Sequence, residues 1–160
     1  MKKKIAIIGS GVSGLTAANL LTKNSNFEVT LYEKEKELSL DEGYGIQLAP
    51  NSISILNKIN FSNLQNKNFY NPLKLNFYNK DNKICDLDLN KFNSESSKYT
   101  TLKRSVLIEF LKEGLFEKNI KFGKIVKKVT KIKNKLLINF DDNTNNFVDY
   151  LIISDGVFSN

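Results

Sequence analysis

Six residues near the N-terminus, Gly9-Ser10-Gly11-Val12-Ser13-Gly14, have the types and spacing of a turn that cradles phosphate. An apolar run, Ile5 to Ile8, precedes them, and a helical pattern from Leu15 to about Thr22 follows. A second apolar run, Phe27 to Tyr32, ends at Glu33, 19 residues after Gly14. Strand, glycine-rich turn, helix, strand and carboxylate form the order of a dinucleotide-binding βαβ unit. In that unit Gly9 permits a tight turn and Gly11 lets the backbone approach a pyrophosphate. Gly14 lets the helix pack close to the sheet. The amides and positive dipole end of the helix face the phosphates, and Glu33 can accept from a ribose diol. The basic start Met1-Lys2-Lys3-Lys4 imitates a secretory leader. Three glycines and two serines within six residues break that apolar core, and a leader gives the position of Glu33 no reason.

Elsewhere the chemistry-bearing residues are few. Arg104 is the sole arginine in a chain that otherwise uses lysine for its cations. A retained guanidinium suits a planar, forked contact to a phosphate or carbonyl; survival by chance on a helix surface is the competing reading, and the residue alone leaves the two even. Asp155-Gly156 follows an apolar strand. Such a pair is often only a turn. In a doubly wound sheet, however, ligands bind past the carboxyl ends of the strands, so Glu33, Asp155 and the Gly9 loop would surround one crevice. Asp141-Asp142 reads as a hairpin turn, and Cys85, alternating with apolar residues, as a buried and inert thiol. With no histidine and one cysteine, the usual zinc, Ser-His and Cys-His chemistries are excluded. The residues assign no catalytic group and no metal ligand.

A chain of 160 residues buries one ordinary core, so one domain is expected. An apolar fraction of 41% and a charged fraction of 26% are those of a soluble globular protein. No run approaches the ~20 apolar residues of a membrane span. The single cysteine excludes an internal disulfide and fits a reducing cytoplasm. The net charge of +7 invites a nucleic-acid reading, but the lysines spread over the whole chain. The densest run, Lys121 to Lys135, alternates with Ile125, Val129 and Ile132 as a strand with one wet face does. No nucleic-acid partner is expected.

Further along, Pro50 opens a helix continuing through Ile53, Ile55 and Leu56, and 57–71 gives little signal. Leu73–Tyr78 and Ile84–Leu89 alternate around Lys80-Asp81-Asn82-Lys83 and predict a hairpin, followed by a polar loop to Lys98. A helix from about Lys103 to Leu115 buries Leu107, Phe110, Leu111 and Leu115. Strands are expected near Ile120–Phe122, Ile125–Ile132 and Leu136–Phe140. A turn from Asp141 to Asn146 leads to a last strand, Val148–Ile153.

Four stretches together resemble the N-terminal part of the single-component FAD monooxygenases, the family of the para-hydroxybenzoate, salicylate and ubiquinone-biosynthesis hydroxylases. Gly9 to Gly14 with Ala18 and Glu33 is similar to its dinucleotide motif. Gly43 to Leu56 resembles its G-x-G-I-x-L-x-P-N segment, Leu102 to Leu107 its R-x-x-L helix, and Ile152 to Ser159 its D-G motif. The resemblance implies an α/β, Rossmann-like FAD-binding domain over 1–160, with a mostly parallel sheet, an inserted hairpin and a β-meander. The hairpin, about 70–98, would begin the substrate side. It implies FAD as cofactor, NAD(P)H as co-substrate, and a small aromatic or quinone-precursor substrate. The implied cofactor set is Gly9, Ser10, Gly11, Val12, Ser13, Gly14, Glu33, Lys34, Gly45, Arg104, Val126 and Asp155. Within it the glycines surround the diphosphate and Glu33 binds the adenosine ribose. Arg104 contacts the flavin side, the backbone near Val126 lies beside the adenine, and Asp155 links FAD and NAD(P)H binding.

Ser154 stands where the family usually has alanine, a small-for-small change expected to leave the strand end intact. The chain stops at Asn160, inside the D-G motif, and nothing in it resembles the family's second G-D motif or its substrate-binding sheet. The expectation is therefore an incomplete domain with its C-terminal part missing. Three alternatives stay open: a non-catalytic fragment, another FAD enzyme such as a reductase or halogenase, and an NAD-dependent dehydrogenase. A cytoplasmic location is expected, peripheral membrane association is left open, and the oligomeric state is not specified.

Overall fold

The computed structural model describes residues 1–38, 40, 44–64, 68–116 and 119–156. The chain divides into two compact units, Met1–Leu40 with Leu111–Asn160, and Asp41–Phe110. Among the described residues no helix is long and apolar enough to cross a membrane.

The first unit is built on a parallel sheet ordered β12-β1-β2-β8, comprising β1 (Lys3–Ile8), β2 (Phe27–Tyr32), β8 (Ile120–Lys121) and β12 (Tyr150–Ile153). Helix α1 (Val12–Thr22) makes the crossover from β1 to β2. Alternation along β1 and β2 separates two apolar faces. Ile5, Ile7, Val29 and Leu31 are buried on one face, and α1 contributes the buried Leu15 and Ala18. Ala6 and Tyr32 face the other way, into a cluster with Ile138, Phe140 and Val148. Those residues come from an antiparallel meander of β9 (Val126–Ile132), β10 (Lys135–Phe140) and β11 (Asn145–Val148). Helix, parallel sheet and meander are thus three layers sharing one sheet, as the dinucleotide-binding reading expects.

The expected single strand Val148–Ile153 is two strands. Asp149 breaks it: its amide donates to the Lys4 carbonyl (2.9 Å), and its carboxylate accepts from the Lys4 amide (2.8 Å). Before this point the chain pairs with the meander; after it, the chain enters the parallel sheet. The break is what lets one segment serve two layers.

Asn19 ties the helical layer together. Its buried amide donates to the carbonyls of Leu15 (2.9 Å) and Leu111 (2.7 Å), and a Cβ at Gly114 would collide with its Oδ1. Leu cannot satisfy those carbonyls, so Asn19→Leu is expected to cost about 2 kcal/mol, read as a lowered thermal unfolding midpoint.

In the second unit, β3 (Gly45–Leu48), β7 (Thr100–Lys103) and the short β4 (Phe69–Tyr70) form an antiparallel sheet ordered β3-β7-β4. Helix α2 (Pro50–Asn57) starts at the expected proline. Helix α3 (Arg104–Glu113) buries Leu107, Ile108 and Leu111, and the boundary between the units falls within it. The expected hairpin is present as β5 (Lys74–Asn79) and β6 (Asn82–Asp88) around a tight Lys80-Asp81 turn. Its pairing shifts register between Phe77 and Tyr78, which leaves Ile84 without a direct partner. Cys85 is exposed, not buried as its alternation suggested. It lies opposite Phe77 in a two-stranded ribbon, and alternation marks a face without supplying anything to cover it.

Candidate functional site

The first unit gathers most of the candidate residues at the carboxyl ends of β1, β2 and β12. The chain leaves β1 through Gly9, whose φ of +94° is in the left-handed region. The Gly9 amide donates to the Tyr32 carbonyl (2.8 Å), which anchors the turn to the end of β2. A Cβ here would come within 2.9 Å of Asp155 Cα and closer still to the Ser154 carbonyl. Gly14, in the first turn of α1, is equally constrained: a Cβ would overlap the Gly9 carbonyl oxygen and lie 2.8 Å from Ser154 Oγ. Close packing of turn, helix and β12 therefore accounts for both glycines.

Gly11 is different. As the N-cap of α1 it has φ −71° and ψ −177°, which any residue adopts, and a Cβ there would meet nothing within 4 Å. Neither its conformation nor packing among the described residues calls for glycine at this position. Helix α1 also carries no side-chain cap and no acidic residue in its first turn. Its first amides at Val12, Ser13 and Gly14 have the arrangement of an anion-binding helix start. The turn and helix start have the geometry to receive a diphosphate, and the open space at Gly11 would let a ligand approach the backbone.

Glu33 stands just beyond β2 with only 9% of its surface exposed. Its Oε2 accepts from the Ser10 amide (2.7 Å) and the Ser10 hydroxyl (2.5 Å). Its Oε1 accepts from the Glu35 amide (3.0 Å). Burial pushes the carboxyl pKa up, but the hydrogen bonds from the Ser10 hydroxyl and the Glu35, Ser10 and Lys34 amides outweigh it. The net shift is below the ordinary value, so Glu33 is an anion able only to accept. A carboxylate beside the glycine turn has the chemistry to accept from ribose hydroxyls. Lys34 itself is exposed.

Asp155 follows β12 and is exposed, its backbone lying against Gly9. Val126 opens β9, half-buried against the cluster formed by Ala6, Tyr32 and the meander. The Ser154 hydroxyl donates to the Ile8 carbonyl (2.7 Å). The strand end is intact, as the small-for-small change implied, and the hydroxyl adds a pin between β12 and β1. The composition of the turn gave no sign of that pin, nor of the bond between Ser10 and Glu33. The only signal was a hydroxyl residue at position 10, where the dinucleotide turn itself needs nothing more than a backbone amide.

Gly45 and Arg104 belong to the second unit, where β3 and β7 pair Gly45 with Lys103. The Arg104 amide donates to the Tyr44 carbonyl (3.1 Å), and its guanidinium lies 5.8 Å from the Tyr44 ring centroid, within cation–π range. The same unit holds an open, almost wholly apolar cleft of about 390 Å³, lined in part by Pro50, Leu87, Leu89, Phe92 and Tyr99. At its edge the Tyr99 hydroxyl donates to Gln47 Oε1 (2.8 Å). Gly43 and the residues after Gly156 in the D-G motif lie outside the described residues.

Residues 7–41 match the family model of the NAD(P)-binding Rossmann-like domain. The chain is 28% identical over 160 residues to 6-hydroxynicotinate 3-monooxygenase from Pseudomonas fluorescens, covering 98% of this chain and 41% of that protein. Its fold matches Klebsiella pneumoniae HpxO, solved with FAD and uric acid, at a TM-score of 0.79 and 22% identity over 96% of this chain and 39% of HpxO. It also matches 2,6-dihydroxypyridine-3-hydroxylase from Arthrobacter nicotinovorans at a TM-score of 0.75 and 18% identity, covering 98% and 37% of the two chains. The chain thus spans about two fifths of the length of these relatives. The Rossmann-like α/β fold and the similarity to flavin-dependent monooxygenases, both expected from the four motifs, stand.

Proposed function

We propose that this chain is the FAD-binding part of a flavoprotein monooxygenase that uses NAD(P)H and O2 to hydroxylate a small aromatic or quinone-precursor substrate in the cytoplasm. The observation that supports the reading is Gly11, where a Cβ would meet nothing among the described residues and a ligand against the backbone gives the glycine a reason. In this reading the turn from Gly9 to Gly14, including Ser10, Val12 and Ser13, holds the diphosphate. Glu33 accepts from the adenosine ribose, with Lys34 beside it. Val126 borders the adenine, and Gly45 and Arg104 serve the flavin end. When bound, FAD would supply the redox chemistry, accepting a hydride from NAD(P)H and activating O2. The chain's own named groups bind and orient in this reading. The hairpin within about 70–98 would open the substrate side, and the apolar cleft beside it, of a size usual for small-molecule sites, suits a planar apolar ring.

The family match over residues 7–41 supports a second reading, an NAD-dependent dehydrogenase, because Glu33 suits the unphosphorylated ribose of either cofactor. The chain is to be reconstituted with FAD, freed of excess flavin and scanned for flavin absorbance. It is then assayed for NADH oxidation with candidate phenols and hydroxypyridines. Retained flavin favours the monooxygenase reading, whereas NADH turnover without flavin defeats it.

Arg104 provides a finer check. Lysine keeps the charge but loses the planar fork. Arg104→Lys is therefore expected to weaken FAD about tenfold while leaving ADP, which lacks the flavin, unchanged. Calorimetric titration with both ligands measures this; equal losses for the two would remove Arg104 from the flavin end.

A further inference from the structure

We propose that Ser10 is a positioning residue for dinucleotide binding, its hydroxyl locking Glu33 against the glycine turn so that Oε1 is presented to the ribose. This rests on the reading of Glu33 as the ribose acceptor. Of the two bonds from Ser10 to Oε2, the amide bond (2.7 Å) is available to any residue at position 10, and the hydroxyl bond (2.5 Å) is specific to serine. A carboxylate oxygen has about two acceptor directions, and Ser10 occupies both on Oε2. Oε1 takes the Glu35 amide (3.0 Å), and the Lys34 amide also donates to the carboxylate. The carboxylate is therefore bound asymmetrically, with Oε2 committed to Ser10 and Oε1 met by a backbone amide alone. The side chain is buried, as is Ser10 at 5% exposure, so water is a poor substitute for the serine hydroxyl.

The charged residues around Glu33 meet it through their backbones. The amides of Lys34 and Glu35 donate to its carboxylate. Its own amide donates to the Lys121 carbonyl, and its carbonyl accepts from the Lys124 amide. The Lys124 ammonium is engaged by Asp142. Ser10 is thus the only side chain among the described residues seen bonding to the Glu33 carboxylate. Removing it strips away a hydrogen bond that favours the ionised form as well as one that fixes the rotamer.

The test compares the wild-type chain with Ser10→Ala and Ser10→Thr. FAD affinity is measured by calorimetry, and the Glu33 side-chain carboxyl is titrated by NMR in the free protein. Circular dichroism establishes that each variant is folded. Ser10→Ala is expected to weaken FAD about tenfold and to move the Glu33 titration to higher pH. Ser10→Thr, which restores the hydroxyl, should recover both. A purely structural serine would shift the Glu33 titration and leave FAD affinity in place. An unchanged titration, or FAD bound as tightly by Ser10→Ala as by wild type, overturns the proposal. Failure of the wild-type chain itself to bind FAD overturns the reading on which it rests, and is told apart because the titration still separates wild type from variant.

Discussion

Gly11→Ala is expected to leave the fold intact and to weaken FAD binding by about a hundredfold or more, whereas Gly14→Ala is expected to lose both. The two substitutions add the same methyl group three residues apart. At position 11 the methyl enters open space on a backbone conformation that alanine adopts freely, so thermal unfolding should be unchanged within about 0.5 kcal/mol. A ligand whose phosphates rest against that backbone would be displaced. At position 14 the methyl lands on the Gly9 carbonyl oxygen and beside Ser154 Oγ. Backbone there cannot yield without moving the end of β1, and overpacking of this kind costs about 3 kcal/mol. Paired melts and FAD titrations check the contrast. Equal FAD affinity in Gly11→Ala and wild type would return that glycine to chance.

Glu33→Gln is expected to reduce FAD affinity at least tenfold and to destabilise the free protein by about 2 kcal/mol at neutral pH. An amide has one acceptor oxygen, so at least one of the donors now aimed at the carboxylate, from Ser10, Lys34 and Glu35, would face the NH2 group. The pH dependence follows from the direction of the shift. Because the folded carboxyl is held below its ordinary value of 4.5, its contribution to stability is complete above that pH and is lost as pH falls through the lower, folded value. Denaturant unfolding at a series of acidic pH values should thus show wild type losing its advantage over Glu33→Gln on acidification. A constant difference down to pH 3 would mean that the charge of Glu33 contributes nothing.

The first βαβ unit was readable because every level of the chain agrees on it. Period-two apolar runs, turn glycines and a spaced carboxylate all specify the same parallel pair around α1. The hairpin was readable from alternation and a turn. What escaped depends on contacts between segments far apart in sequence. Asp149 interrupts an apolar run only because Lys4 offers it two backbone groups. The β3-β7-β4 sheet is made from four-residue and two-residue strands, too short for periodicity to register. Cys85 looked buried because alternation records which side a residue faces, not whether anything lies there. At the site, residue types singled out Gly9, Glu33 and Asp155, and the structure sets the Asp155 backbone against Gly9 and bonds Glu33 to Ser10. The residue types could not show that Gly9 and Gly14 are explained by packing, while Gly11 meets nothing among the described residues.

The central claim is that the Gly9 turn and Glu33 hold FAD. Calorimetric titration of the 160-residue chain with FAD and, separately, with NADH tests it most directly. One FAD per chain is expected, bound more tightly than NADH and lost in Gly11→Ala. Saturable NADH binding with no FAD binding would contradict it.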